Sequence, residues 1–488
     1  MKIGHILITI ALLTSLSVSY AGNDITIPTS EFSQAESNER FPGGSTSHTK
    51  HINKNAFSHA SANMSFEREM NFKIGNGFFK RLWVSAPSST QAADGLGPLH
   101  NARSCQRCHL KDGRGHPPNG PDDNAVSMFL RLSIPPQNDE QRRLLKERRM
   151  NVIPVPKYGS QLQNFSIQGH QSEGRMQIKY QEMALKLADG EVVSLRKPSY
   201  SVTGLGYGPL HPETMLSPRV APQMIGLGLL DAIATADILS HADPDDKNGD
   251  GISGKANQVW SIEQYKVMLG RFGWKAGSPS INEQSQAAFA SDIGISVPLH
   301  KNGAGECTTL QIKCQRALHG NSPQYENLEA HSLVTELVTF YSSNLSVPAR
   351  RNHNSAEVLA GKELFYNSGC IGCHRPKYIT QTLDEKPEQS HQLIWPYSDM
   401  LLHDMGEGLA DNRPEGKATG SEWRTAPLWG IGLTPVINGH SFYLHDGRAR
   451  NLLEAILWHG GEAEQSRDSV VNMTKKERNL LLDFIESL

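Results

Sequence analysis

Cys-x-x-Cys-His occurs twice in this chain, as Cys105-Gln106-Arg107-Cys108-His109 and as Cys370-Ile371-Gly372-Cys373-His374. Two thiols spaced three apart and followed at once by an imidazole form the attachment pattern of a c-type haem, with two thioether bonds and one axial ligand. With 6 Cys and 20 His in 488 residues, chance predicts roughly 0.003 copies. Two copies therefore imply two covalently bound haem c groups, held by Cys105, Cys108 and His109 and by Cys370, Cys373 and His374. A chain that folds around two such groups is expected to carry out redox chemistry.

Haem of this type is attached outside the cytosol, and the N-terminus agrees. A basic start at Lys2, a largely apolar run from Ile6 to Val18 and the small-x-small sequence Ser19-Tyr20-Ala21 read as a cleaved signal peptide over residues 1–21. The run is too short to span a bilayer comfortably, and no later segment approaches the required apolar length, so no stable membrane insertion is expected. The expected location is the periplasm. A net charge of −2 and a pI near 6.9 argue against nucleic acid as a partner. The two cysteines outside the motifs, Cys307 and Cys314, suit a disulfide in an oxidising compartment, stabilising by roughly 2.5 kcal/mol through loop closure. A pair of redox-active thiols is the alternative.

The expected fold is mainly α, with two cytochrome c-like haem domains and a loop-rich, partly β insertion in the first. The N-terminal haem domain is placed at 22–340 and the C-terminal one at 341–488. Residues 22 to about 60 read as an extended polar arm. A helix capped at Asn354 leads into the second motif, and a Thr474…Glu477 capping box opens the last helix. Arg219-Val-Ala-Pro222-Gln-Met-Ile-Gly226-Leu-Gly228 recurs as Arg424-Thr-Ala-Pro427-Leu-Trp-Gly430-Ile-Gly432, once after each motif. Such a loop can set a carbonyl against the proximal imidazole N–H. His109 lies 110 residues before Arg219, whereas His374 lies 50 before Arg424, so the first half carries the insertion. Within it, Met176, Ile178 and Tyr180 alternate, and Asp189-Gly190 marks a hairpin turn.

His109 and His374 are the expected proximal iron ligands. His459, at the end of the apolar helical pattern Leu452–Trp458, is the expected second ligand of the second haem. His211, Met215, Met224 and His241 lie near the first motif in sequence, but none is comparably placed. That asymmetry makes the first iron the expected reactive one. Asp246, Asn248, Asp250 and the backbone at Ile252 fall at the first, third, fifth and seventh positions of an EF-hand-like loop, with Gly251 at the turn. A structural Ca²⁺ is expected there, although the twelfth position is Asn257 and not Glu.

These features resemble the bacterial di-haem cytochrome c peroxidase superfamily, and more closely its di-haem oxidoreductase branch, whose members carry the labels peroxidase and thiol oxidoreductase. The resemblance rests on Asp94–Pro98, Asp112–Gly115, Pro222–Ile233, Asp399–Gly406, Glu422–Pro427 and Leu444–Arg448, and covers nearly the whole mature chain. It implies a peroxidatic N-terminal haem and a C-terminal haem that takes up electrons from a small redox protein or cytochrome. It also implies an acidic residue near the peroxidatic iron after the proline loop, for which Asp231 is the nearest match as a general acid–base. His459 departs from the methionine common at the second iron, and two imidazoles lower the potential relative to His/Met. The expected function is a di-haem oxidoreductase reducing H₂O₂, with an organic or protein substrate as a variant. A di-haem electron-transfer cytochrome without peroxidase activity is the alternative.

Overall fold

The structure is a computed structural model that describes residues 23–120, 123 and 126–488. The expected signal peptide therefore lies outside the described residues. The fold is not mainly α: the structure is 30% helical and 18% strand, and among the described residues the strands form six separate two-stranded antiparallel sheets. The expectation of two cytochrome c-like helical domains is thereby corrected. The helices that flank the motifs are long enough to show a period in sequence. Strands such as Leu99–His100 and Phe165–Ser166, two residues each, are too short to show one.

Two helix pairs nevertheless repeat with one design. Helix α1 (Phe66–Lys80) crosses α2 (Ser332–Ser343), and α3 (Ala356–Asn367) crosses α4 (Lys475–Ser487). A Cβ on Gly75 of α1 would run into the Leu337 carbonyl, and one on Gly361 of α3 into that of Leu480, so each crossing needs its glycine. Four residues on, Phe79 meets Tyr341 and Phe365 meets Phe484, both at 5.2 Å between ring centroids. The same phenylalanines lie 6.4 Å from the His109 ring and 6.2 Å from the His374 ring.

The sequence repeat after each motif closes both pairs. Gly226 and Gly430 adopt φ of 71° and 73°, and their N–H groups donate to Leu345 O at 2.9 Å and to Leu488 O at 3.0 Å. Beyond the reach of side-chain propensity, those left-handed turns require glycine. The halves meet over one apolar core in which Trp429, 1% exposed, fills the space left by Gly226. Burying a side chain of that size stabilises by about 2–3 kcal/mol.

Two long-range straps lock the halves together. The N-terminal arm is ordered against the second half: Glu39 pairs with Lys362 at 2.8 Å and with Arg350, and Glu36 with Lys377 at 2.5 Å. The cap of α3 is Ser355, not Asn354, whose side chain instead accepts from Ala35 N in the arm. The capping box at Thr474 and Glu477 forms as expected. The hairpin β1 (Arg175–Lys186) and β2 (Val192–Thr203) turns at Asp189-Gly190 as expected, but it is a strap and not an appendage. Its Leu187 and Leu195 enter the core of the second half, and Asp189 and Glu191 hold buried Arg478 at 2.7 and 2.8 Å. Along its length Arg196 donates to the carbonyls of Gly447 and Arg448, while Tyr200 donates to Asp446 at 2.8 Å. Among the described residues no helix is long and apolar enough to cross a membrane.

Candidate redox centres

At the first motif, Cys105–Cys108 forms one helical turn that sets both thiols on the same side. The His109 ring is half-buried, and its Nδ1 lies 2.8 Å from Pro222 O. Only a protonated Nδ1 can donate to that carbonyl, so Nε2 is left as the free, lone-pair-bearing nitrogen. The proline loop therefore performs its expected task here. At the second motif the His374 Nδ1 makes the same 2.8 Å bond, but to Tyr397 O. The expected Pro427 loop is replaced by the irregular segment Pro396-Tyr397, where Tyr397 takes a left-handed φ of 52°.

Burial holds the His109 and His374 imidazoles down at about 4, so both are neutral near pH 7, the form able to bind a metal. Burial also pushes the Cys105 and Cys370 thiols up to about 12. Cys307 and Cys314 are joined in a disulfide, and none of the four motif cysteines takes part in one. Among the described residues this leaves no cysteine pair outside the motifs for a thiol-based reaction.

Beside the second motif lies a cavity with about 1380 Å³ of empty space, part of it open to solvent. His374 and His459 both line it, together with Cys370 and Cys373. His459 sits at the end of the helix Leu452–Leu457, where its Nδ1 lies 2.8 Å from Ala455 O and Nε2 is again left free. The remaining wall is largely apolar, from Leu409, Leu428, Leu452, Ile456, Leu481 and Ile485. A flat apolar group with an iron-binding centre suits these donors and this lining. The ring and hydrogen-bond contacts of His109 are with Phe79 and Pro222.

The chain belongs to the di-haem oxidoreductase family. Residues 36–488 match the family described as "Di-haem oxidoreductase, putative peroxidase". Haem is therefore the cofactor of this di-haem oxidoreductase, and the two motifs are where residues suited to it are found. Among solved structures, a chain of hydrazine synthase from Kuenenia stuttgartiensis is similar at 13% identity, covering 73% of this chain and 90% of its own, with a TM-score of 0.26. A likeness at that score carries no argument. No curated protein matches the chain.

Asp231 ends the short helix Leu227–Asp231, where its carboxylate pairs with Lys386 at 2.7 Å. Its carboxylate thus faces Lys386. Sequence reasoning missed Asp292, in the irregular turn Phe289–Ile293. Its backbone carbonyl accepts from Asn101 N and Ala102 N at 2.8 and 3.0 Å, just ahead of the first motif. Its carboxylate accepts from Gln161 Nε2 at 2.8 Å and acts electrostatically on both Cys105 and Cys108. Burial raises its pKa above the usual carboxylate range. A lone aspartate far along the chain offers no sequence signal for this role.

The acidic loop takes the turn expected of it. Gly251 has φ 81° and donates to Asp246, while Asp250 N donates to Asn248 Oδ1 and Ile252 N to Asp250 Oδ1, both at 2.9 Å. Among the described residues no three His, Cys, Asp or Glu side chains gather as a metal-binding group. The loop leads into the second centre: Ser253 donates through N and Oγ to Glu462, which meets His403 Nδ1 at 2.7 Å. His403 Nε2 in turn meets Asp399 at 2.7 Å. Burial opposes the charged form of His403, yet Asp399 and Glu462 outweigh it and hold the pKa well above the ordinary value. Both His403 nitrogens are thus engaged by carboxylates, and Nδ1 also lies 3.5 Å from Cys373 Sγ.

Proposed function

We propose that the protein is a periplasmic c-type di-haem oxidoreductase that reduces H₂O₂ at the first motif with electrons received through the second. Thioether bonds to Cys105 and Cys108, and to Cys370 and Cys373, would fix one haem at each site. Bound haem supplies a one-electron couple at each site and, where the sixth position is open, a place for peroxide. Each peroxide takes two electrons and two protons and gives two waters. The observation that supports this reading is the pairing at the second centre, where His374 shares its cavity with His459.

The Pro222 and Tyr397 carbonyls fix the rings of His109 and His374 and raise the basicity of each Nε2. His459 Nε2 would hold the iron at the second centre together with His374. Asp292, rather than Asp231, holds and moves the proton at the first centre, because it lies beside that motif with a raised pKa. Ca²⁺ at Asp246, Asn248, Asp250 and the Ile252 carbonyl would brace the loop that carries Ser253 to Glu462, with no part in the chemistry.

Steady-state oxidation of a reduced small cytochrome, with and without H₂O₂, tests the assignment. Peroxide-dependent turnover is expected. Oxidation at one rate whether or not peroxide is present would instead indicate an electron carrier.

A further inference from the structure

Arg114 lies five residues past His109, yet it lines the cavity of the second motif. The loop that follows the first motif docks there firmly. Asn438 Oδ1 accepts from Arg114 N at 2.9 Å, and Asn438 Nδ2 donates to Leu110 O at 3.0 Å. The Arg114 guanidinium stacks on Trp274 at 5.2 Å, donates from Nε to Phe442 O at 2.9 Å and from Nη2 to Leu444 O. All its acceptors are neutral carbonyls, and among the described residues it has no ion pair. Among the described residues its hydrogen bonds run through the backbone N, Nε and Nη2 and leave Nη1 free.

The same wall carries Arg424 and His445, the latter with its Nε2 3.8 Å from Asp446. Arg424 donates to Gly273 O at 3.1 Å and to Thr425 O at 3.0 Å, both carbonyls. His445, only 4% exposed, stacks on Trp423 at 3.7 Å and leaves its Nε2 without a hydrogen bond. Glu462, the carboxylate on the cavity lining, is already engaged by Ser253, Asp404 N and His403. Guanidinium groups shielded from water call for a counter-charge, and the chemistry that matches a fork of N–H donors is a carboxylate.

We infer that Arg114 forms an ion pair with a carboxylate of the group held at the second motif, a propionate of its haem, with Arg424 and His445 beside it. The inference rests on the proposed two-haem reading. A loop belonging to one centre then sets the charge at the other. A cation beside a haem favours the reduced iron, which carries one positive charge fewer, and so raises its potential.

Arg114→Gln and Arg114→Lys, in the full holoprotein, test this by spectroelectrochemical titration and resonance Raman spectroscopy. Arg114→Gln is expected to shift the midpoint of the second haem downward, and Arg114→Lys to leave it close to the parent value. The propionate bending band should shift in both variants, since neither reproduces the guanidinium fork. An unchanged second midpoint in Arg114→Gln with both haems present would overturn the inference, as would an equal fall in both variants. Should Arg114→Gln fail to accumulate, an unshifted propionate band in Arg114→Lys would overturn it alone. Fewer than two haems per chain in the parent protein would instead sink the two-haem reading.

Discussion

Replacing His459 by Ala is expected to remove the low-spin signal of the second haem and to slow electron delivery to the first about 10–100-fold, the usual cost of disturbing a metal's ligand shell. The His459 ring is held rather than free to drift. Its Nδ1 is tied to Ala455 O, and the preceding Trp458 is buried in the core of the second half. Burial depresses its pKa, so the ring is presented in the neutral, iron-binding form. Added imidazole should restore the low-spin signal in His459→Ala, because the cavity left behind opens onto the same site. His459→Met should keep a six-coordinate iron and raise its potential. A low-spin signal that survives in His459→Ala would show that another residue holds the second iron.

Asp292→Asn is expected to lower peroxide turnover by about 10²–10⁴-fold, the range of a lost general acid–base, while leaving haem content intact. Asn keeps an oxygen to accept from Gln161 Nε2, so the turn ahead of the first motif should survive. Reduction of the second haem by the donor should proceed at the parent rate. Asp231→Asn is the informative control. It breaks a pair with Lys386, whose side chain is 43% exposed, and pairs of that kind contribute about 0–1 kcal/mol. A small stability loss with near-parent turnover is expected there. Full turnover in Asp292→Asn, or loss of turnover in Asp231→Asn, would reverse the two assignments.

The haem centres were legible because their determinants are local. A Cys-x-x-Cys-His run needs no partner to be recognised, and His459 stands at the end of an apolar helical stripe that the second motif's domain makes visible. The paired glycines were legible as a repeat, since Gly226 and Gly430 occupy turns that only glycine enters readily. What escaped was long-range. Tyr397 replaces a second proline-loop carbonyl through an irregular turn that no pattern announces. The hairpin was read from its Asp-Gly turn, but the docking of Leu187 and Arg478 joins residues far apart in the chain. The helical content was overstated for the same reason: the capped helices beside the motifs have a period, and the two-residue strands between them do not. Arg114 lies within Asp112–Gly115, yet its reach towards the second motif depends on Asn438, Phe442 and Leu444, more than 320 positions on in the chain.

The central claim is that the two haem sites are unequal, one closed by His374 and His459 and one open at His109. EPR spin quantification of the oxidised and half-reduced protein, alongside a pyridine haemochrome count, tests it most directly. Two haems per chain are predicted, with one low-spin ferric iron and a high-spin ferric signal from the other in at least one of the two states. Two low-spin irons in both states, or a single haem per chain, would contradict it.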